Sequence, residues 1–184
     1  MVPPRVFAVL ATRLVFHPNR YIFLAFSHRT MSGVEETVGD IMEKRVLTVD
    51  LNSNTRDCAR SMAKRGVSSA VIVQGETALG IVTERDLVSK VLSEGLDASK
   101  VLVRDIMSTP LVTVPPEATM TKAAEVMAEY RIRRLVVIDV DSNLVGIVTA
   151  GDIARVIAEK HDYREATLNA IARYKEGAEA GPYQ

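Results

Sequence analysis

The amino-acid sequence predicts an α/β (α+β) fold made of two β-α-β-β-α repeats related by pseudo-twofold symmetry. The main observation is internal repetition, because three short segments of the first half recur in the same order in the second half. The first two recur 65 residues later and the third 66 residues later, so the second copy carries one inserted residue. The segments are VGDIM at 38–42 and VRDIM at 103–107, TV at 48–49 and 113–114, and GIVT at 80–83 and 146–149.

The elements of the first repeat follow one another with short spacings. An extended segment at 46–49 leads to polar residues at 52–55 that suit a helix N-terminus, and apolar side chains at helical spacing follow. Apolar runs at 70–73 and 79–82 flank a turn and predict a hairpin. A second helix is expected from about residue 84 to residue 92. Its apolar face is predicted to comprise Leu87, Val88, Val91 and Leu92.

The second repeat follows the same plan, with strands at 111–114, 135–138 and 144–148 and helices through residues 123–130 and 153–157. A three-stranded sheet with two helices buries little apolar surface, so the two repeats are expected to share a core. The predicted boundaries are an N-terminal extension at 1–33, the repeats at 34–94 and 101–160, a linker at 95–100, and a C-terminal helix (162–174) and tail within 161–184.

Residues 1–33 differ in composition from the rest of the chain. All four phenylalanines lie before Met31, as do four arginines without an acidic residue. The apolar runs are shorter than the roughly 20 residues that a bilayer span needs, and Arg13 with His17-Pro18 interrupts the apolar region of a possible secretory signal. Three alternatives remain open: a true start at Met31, a peripheral membrane anchor, or an extra strand against the repeats.

Composition argues against several classes of function. Lys+Arg and Asp+Glu both number 23, so the overall charge gives no basic footprint for nucleic acid. Cys58 is the only cysteine, which excludes an internal disulfide and suits a reducing, cytoplasmic compartment. The three histidines have no ligand-like spacing to one another or to Cys58, so no metal site is expected.

These motifs resemble the CBS domain, named for cystathionine beta-synthase, which normally occurs as a pair. The identifying features are the repeated segments and a strand-to-helix junction that reads Thr-x-x-Asp twice, at Thr83 to Asp86 and at Thr149 to Asp152. The resemblance covers about residues 34–160 and identifies the chain as similar to stand-alone regulatory pairs. It implies that AMP, ADP, ATP or S-adenosylmethionine binds in two clefts between the repeats, and that the chain forms a homodimer.

The family geometry also implies which residues form each cleft, because it combines the Thr-x-x-Asp junction of one repeat with the first two strands of the other. The Asp86 cleft would comprise Thr83, Arg85, Asp86, Leu111, Thr113, Ile132, Arg133 and Arg134. The Asp152 cleft would comprise Val46, Thr48, Val67, Ser68, Ser69, Thr149, Gly151 and Asp152.

The residue types at these positions suit a nucleotide. Amide N–H groups at the start of a helix favour phosphate. An aspartate can accept two hydrogen bonds from a ribose diol. Adenine needs an apolar slot, for which the candidates are Val46, Val67, Leu111 and Ile132.

The two clefts differ in predicted charge. Arg85, Arg133 and Arg134 make the Asp86 cleft the more basic, so we expect it to hold a phosphorylated nucleotide more tightly than the Asp152 cleft does. Two alternatives stay open. The Thr-x-x-Asp pattern is also a capping box that completes a helix N-terminus, and a run of arginines is often a solvated edge.

Regulation is therefore the predicted function, and no catalytic residue is assigned. CBS pairs are often inserted in enzymes such as inosine monophosphate dehydrogenase, but the sequence outside the repeats is too short for a catalytic domain. Cys58 lies on an apolar helical face without a nearby histidine, which favours packing over nucleophilic catalysis. The alternatives are a ligand-free dimerising adaptor and a sensor of an S-adenosylmethionine-type ligand.

Overall fold

The computed structural model describes residues 14–16, 21–24, 36–159, Leu168 and Ala172. Apart from Leu168 and Ala172, the predicted C-terminal helix lies outside the described residues. No helix in the described part of the chain is long and apolar enough to cross a membrane.

The described elements have the predicted β-α-β-β-α order twice. Two strands precede the repeats, β1 (Leu14–Phe16) and β2 (Tyr21–Leu24). The first repeat comprises α1 (Val38–Ile41), β3 (Thr48–Asp50), α2 (Thr55–Arg65), β4 (Ser69–Gln74), β5 (Thr77–Thr83) and α3 (Glu84–Leu87), which continues as a π-helical turn (Val88–Leu92). The second comprises α4 (Val103–Ile106), β6 (Leu111–Val114), α5 (Met120–Glu129), β7 (Arg134–Ile138), β8 (Leu144–Thr149) and α6 (Ala150–Glu159).

The two sheets repeat one another in strand direction and register. The first sheet has the order β3-β4-β5, and the second contains the equivalent β6-β7-β8. Thr48 lies opposite Val71 in the first parallel pair, and Thr113 lies opposite Val136 in the second. Each antiparallel hairpin also has an irregularity at the equivalent position of its inner strand. The predicted pseudo-twofold repeat is therefore confirmed in its details.

Strand β2 adds an N-terminal hairpin to the second sheet only. It pairs antiparallel with β1 and parallel with β6, so that this sheet has the order β1-β2-β6-β7-β8. Tyr21 lies opposite Leu111 and Phe23 opposite Thr113. This pairing corresponds to the extra-strand alternative for the N-terminal extension, while a start at Met31 stays a prediction.

Helix α3, with the π-helical turn that continues it, differs from the helix predicted for residues 84–92. The Ser93 N–H donates to the Val88 carbonyl, five residues earlier, at 2.9 Å, so the helix ends in a π-turn. Val91 is buried, but Val88 and Leu92 are 56% and 72% exposed. The predicted common apolar face was wrong, because the wider turn changes the direction of successive side chains.

Each repeat donates its first helix to the core of the other, and we call α1 and α4 the exchanged helices. Helix α1 buries Val38 and Ile41 in a cluster whose other members come from the second repeat. Helix α4 buries Val103 and Ile106 in the cluster of the first repeat, which includes Met62. A third cluster joins the two sheets directly. The expected shared core is therefore present.

Backbone bridges fix the exchanged helices in place. The residue pairs Glu43–Ile147 and Ile81–Ser108 each exchange two N–H to carbonyl hydrogen bonds of 2.9–3.1 Å. Glycine is required beside the second bridge, because a Cβ atom at Gly80 would lie 2.6 Å from Met107 Sδ and 3.0 Å from the Ser108 carbonyl oxygen. This close approach explains why glycine opens the repeated GIVT segment.

The turn that follows α2 in the first repeat and α5 in the second provides a matched test of backbone strain. Gly66 and Arg131 occupy equivalent positions with φ of 64° and 54°, in the left-handed region that favours glycine. A Cβ at Gly66 would meet nothing within 4 Å, so only the backbone conformation disfavours a side chain there. We expect Gly66→Ala to lower the free energy of unfolding by about 1 kcal/mol and Arg131→Gly to raise it by about 0.5 kcal/mol. Urea denaturation would measure both, and effects of the same sign would contradict the strain argument.

Candidate functional site

Both Thr-x-x-Asp junctions form capping boxes. The Thr83 N–H and Oγ1 donate to Asp86 Oδ2 at 2.9 and 2.6 Å, and the Asp86 N–H donates to Thr83 Oγ1 at 3.3 Å. Thr149 and Asp152 repeat these bonds at 2.9, 2.7 and 3.2 Å. The capping alternative is thus realised in both repeats. Each capping box uses only Oδ2 of its aspartate. Whether the aspartate can bind a ligand therefore depends on the surroundings of Oδ1.

The second carboxylate oxygen has different surroundings in the two repeats. Lys90 Nζ lies 2.7 Å from Asp86 Oδ1 and also donates to the Ile106 carbonyl at 2.7 Å. Burial alone would raise the pKa of Asp86, but the hydrogen bonds from Lys90 and Thr83 and the Lys90 charge hold that pKa below its ordinary value. Asp152 Oδ1 lies 3.7 Å from Arg155, and its side chain is 26% exposed against 12% for Asp86.

Backbone donors at the two junctions are largely engaged by the protein itself. In α3 the Glu84 N–H donates to the Ser68 carbonyl and the Asp86 N–H to Thr83. In α6 the Ala150 N–H donates to the Arg133 carbonyl, and the Asp152 N–H to Thr149. Two of the first three amide groups of each helix are therefore used. Charged side chains, rather than backbone N–H groups, must supply most of the attraction for an anion.

The two junctions open into one cleft of about 390 Å³ between the repeats. Predicted residues of both clefts meet here, since Thr83 and Arg85 face the same space as Thr149 and Gly151. The lining comprises Ser68, Thr83, Glu84, Arg85, Arg133, Arg134, Thr149, Ala150 and Gly151. Three arginines and one glutamate make this lining basic.

The three arginines are held differently. Arg134 reaches from the second repeat to the first, where its guanidinium donates to the Ser68 carbonyl at 3.0 Å and lies 3.4 Å from Ser68 Oγ. Arg85 and Arg133 have exposed side chains on the cleft. Arg134 therefore ties the two repeats together, and Arg85 and Arg133 are placed to meet an anion that enters.

The other predicted residues are not part of the lining of this cleft, and they include Asp86, which is buried. Leu111 and Thr113 are 2% and 0% exposed, because β6 is an inner strand of its sheet and Leu111 packs in the cluster shared by the two sheets. Thr48 is exposed on the edge strand β3. The half-buried remainder comprises Val46, Val67, Ser69, Ile132 and Asp152.

Sequence reasoning missed three residues of this region. Glu84 and Ala150 line the cleft, and each directly follows the threonine of its junction. Lys90 follows Asp86 by four residues, the spacing that brings side chains together on a helix. The sequence positions of all three residues could therefore have identified them as neighbours of the predicted site residues.

A family model for the CBS domain matches residues 38–93 and 103–159. The chain belongs to the CBS domain family. An uncharacterized protein of Methanopyrus kandleri is 39% identical over 121 residues, which are 65% of this chain and 62% of that protein. The mitochondrial CBS domain-containing protein CBSX3 of Arabidopsis thaliana is 30% identical over 158 residues, covering 83% of this chain and 76% of that one. The CBS repeat pair predicted from the motifs is confirmed.

Larger and liganded CBS proteins also match. Inosine-5'-monophosphate dehydrogenase of Korarchaeum cryptofilum is 31% identical over 169 residues, but the chain spans only 33% of that enzyme's length. The CBS domain pair of protein MJ0100, solved in complex with 5'-methylthioadenosine and S-adenosyl-L-methionine, is 27% identical with a TM-score of 0.62, covering 68% of this chain and 98% of that one. A hexameric CBS-CP12 protein from bloom-forming cyanobacteria is 30% identical with a TM-score of 0.65, covering 80% and 87%.

Proposed function

We propose that this CBS pair is a regulatory module that binds AMP, ADP or ATP in the clefts between its repeats. The observation that carries the proposal is the basic cleft, in which the threonines of both Thr-x-x-Asp junctions lie with Arg85, Arg133 and Arg134. Guanidinium groups bind phosphate through charge-assisted, often bidentate hydrogen bonds. The MJ0100 pair, which was solved with two adenosyl ligands, supports an adenosyl ligand for this chain as well, since the two pairs share one fold.

Each part of a nucleotide has a proposed partner in this arrangement. Arg85 and Arg133 would bind phosphate, and Asp152 Oδ1, which stays outside its capping box and has no short ion pair among the described residues, would accept from the ribose diol. Adenine would lie against the half-buried apolar residues near the cleft, Val46, Val67 and Ile132. No residue is assigned a catalytic role in this proposal. Burial raises the pKa of Cys58 to about 11, which suits a packing role for its thiol.

Two other functions have some support. S-adenosylmethionine is favoured by the MJ0100 complex, but the positive sulfonium of that ligand fits a basic cleft less well than phosphate does. An adaptor that binds proteins without a small ligand is favoured by the exposed apolar side chains Val88, Leu92 and Leu96. We propose that the chain forms a homodimer whether it is a sensor or an adaptor. The protein that it regulates would be a further partner.

The location of the protein belongs to the same proposal. A single, buried cysteine suits a reducing compartment, so we propose the cytoplasm. The Arabidopsis relative is named as mitochondrial, and the arginine-containing, acid-free residues 1–32 also suit an import leader. Fractionation of cells that express the natural protein separates these two locations.

A panel of adenosyl ligands tests the proposed function. We expect AMP, ADP and ATP to raise the thermal stability of the protein, by about 2.7 kcal/mol at 100 times the dissociation constant. Adenosine, which lacks phosphate, should stabilise less at equal concentration. Differential scanning fluorimetry would rank the ligands, and calorimetry would give their affinities. A larger effect of S-adenosylmethionine than of AMP would favour the sulfonium sensor, and no effect of any ligand would favour the adaptor.

A further inference from the structure

We infer that the intact chain binds its nucleotide in the Asp152 cleft only, because strand β2 and Lys90 close the Asp86 cleft. The inference rests on the proposed function and names the occupied site and its regulation. It also reverses the expectation from arginine content, which was that the Asp86 cleft binds a nucleotide more tightly than the Asp152 cleft. Two independent differences between the repeats carry it, and both compare residues that the pseudo-twofold axis makes equivalent.

The first difference is in the strands that would form the floor of each cleft. Strands β3 and β6 are equivalent, but β3 is the edge of its sheet, whereas β6 lies between β2 and β7. Thr48 on β3 is exposed, and its equivalent Thr113 on β6 is fully buried. A ligand that needs Thr113 must therefore displace β2, while a ligand that needs Thr48 meets an open strand edge.

The second difference is in the aspartates that would hold the ribose. Both oxygens of Asp86 have close partners, Thr83 on Oδ2 and Lys90 on Oδ1 at 2.7 Å. The position equivalent to Lys90 is the apolar Val156. Among the described residues, the cation paired with Asp152 Oδ1 is Arg155, at the longer distance of 3.7 Å. A ribose diol would compete with a short ion pair at Asp86, but only with a long, half-exposed one at Asp152.

The arginines remain available to a nucleotide in the Asp152 cleft. Thr149 and Gly151 line the same cavity as Arg85 and Arg133, so phosphate leaving the Asp152 junction enters the basic space. Ser68, which belongs to the Asp152 cleft, is already in contact with Arg134. The arginines that were assigned to the Asp86 cleft therefore line one phosphate position that is shared by both junctions.

The intact chain can be tested with AMP by isothermal titration calorimetry, using the matched variants Asp152→Asn and Asp86→Asn. We expect one AMP per chain, a 10- to 150-fold loss of affinity in Asp152→Asn, and a change of less than about threefold in Asp86→Asn. Two equivalent AMP sites, or a larger loss in Asp86→Asn, would overturn the inference while leaving the proposed function in place. No binding of any adenosyl ligand would overturn both.

A second pair of variants tests the two closing elements. Ile22→Pro removes a backbone N–H from β2 and should break its pairing with β6, and Lys90→Met removes the ion pair to Asp86. The combined variant should bind a second AMP, whereas the control Lys100→Met, at an exposed lysine of the linker, should bind one. Circular dichroism would establish that the variants are folded. A folded combined variant that still binds a single AMP would show that β2 and Lys90 do not close the cleft.

Discussion

Dividing the chain at Gly95 is expected to leave both halves unfolded when they are separate and to restore the fold when they are mixed. Residues 1–95 would lack α4, whose Val103 and Ile106 complete the first core, and residues 96–184 would lack α1, whose Val38 and Ile41 complete the second. Burying one aliphatic side chain contributes about 1.5–3 kcal/mol, so each exchanged helix contributes about 3–6 kcal/mol. That is a large part of the 5–15 kcal/mol that stabilises a typical domain.

Circular dichroism and NMR spectra of the fragments, alone and mixed, measure this effect. Gly95 is an exposed turn residue, so the cut itself removes little packing. Ile106→Ala in the second fragment should weaken complementation by about 2–5 kcal/mol, because Ile106 is buried in the other repeat. Val140→Ala, at an exposed side chain of the same fragment, is the control and should change nothing. Cooperative unfolding of the isolated fragment 1–95 would contradict the dependence on exchanged helices.

The combined substitution Arg85→Ala with Arg133→Ala should abolish binding of AMP at micromolar concentrations without affecting adenosine. Each arginine would contribute a charge-assisted hydrogen bond, worth about 1.5–3 kcal/mol, so the pair corresponds to roughly a 100-fold loss or more. Adenosine has no phosphate, and its affinity should stay within about threefold of the original value. The loss for AMP should also shrink at high salt, because exposed charges are screened.

Calorimetry with AMP and adenosine distinguishes the loss of the two arginine charges from a general disruption of the fold. Arg60→Ala is the matched control, since Arg60 is an exposed arginine on α2, in a surface ion pair with Asp57 and outside the cleft lining. An equal loss of both ligands in the double variant would indicate a structural effect. An unchanged affinity for AMP would mean that the two arginines are only a solvated edge.

The elements of this fold could be predicted from the sequence because each repeat supplies a second copy of every signal. Periodicity identifies buried positions such as Met62 and Met127, but it does not say which residues pack against them. The exchange of α1 and α4 therefore could not be predicted, although the apolar residues in VGDIM and VRDIM were visible. The exposure of Val88 and Leu92 depends on a π-turn, for which no local pattern was evident.

The site could be predicted in part. The threonines of the two junctions and the three arginines line one cleft, whereas the resemblance to the CBS family implied two clefts with separate sets of residues. The inner position of β6, on which Thr113 is buried, could not be anticipated, because the short strand β2 pairs with β6 across a long stretch of sequence. The partner of Asp86 Oδ1 depends on the conformation of one lysine side chain. Long-range strand pairing and side-chain conformation both depend on the complete folded structure and not on a local sequence pattern.

The exchanged helices also have an evolutionary consequence. A polypeptide with one repeat would leave its own first helix without a core, and could fold only by trading that helix with a second copy. Joining two repeats in one polypeptide makes the trade intramolecular, at an effective concentration on the order of millimolar. Gene duplication would thus make folding of the pair independent of protein concentration. It would also allow the two halves to acquire different residues at equivalent positions, such as Lys90 and Val156.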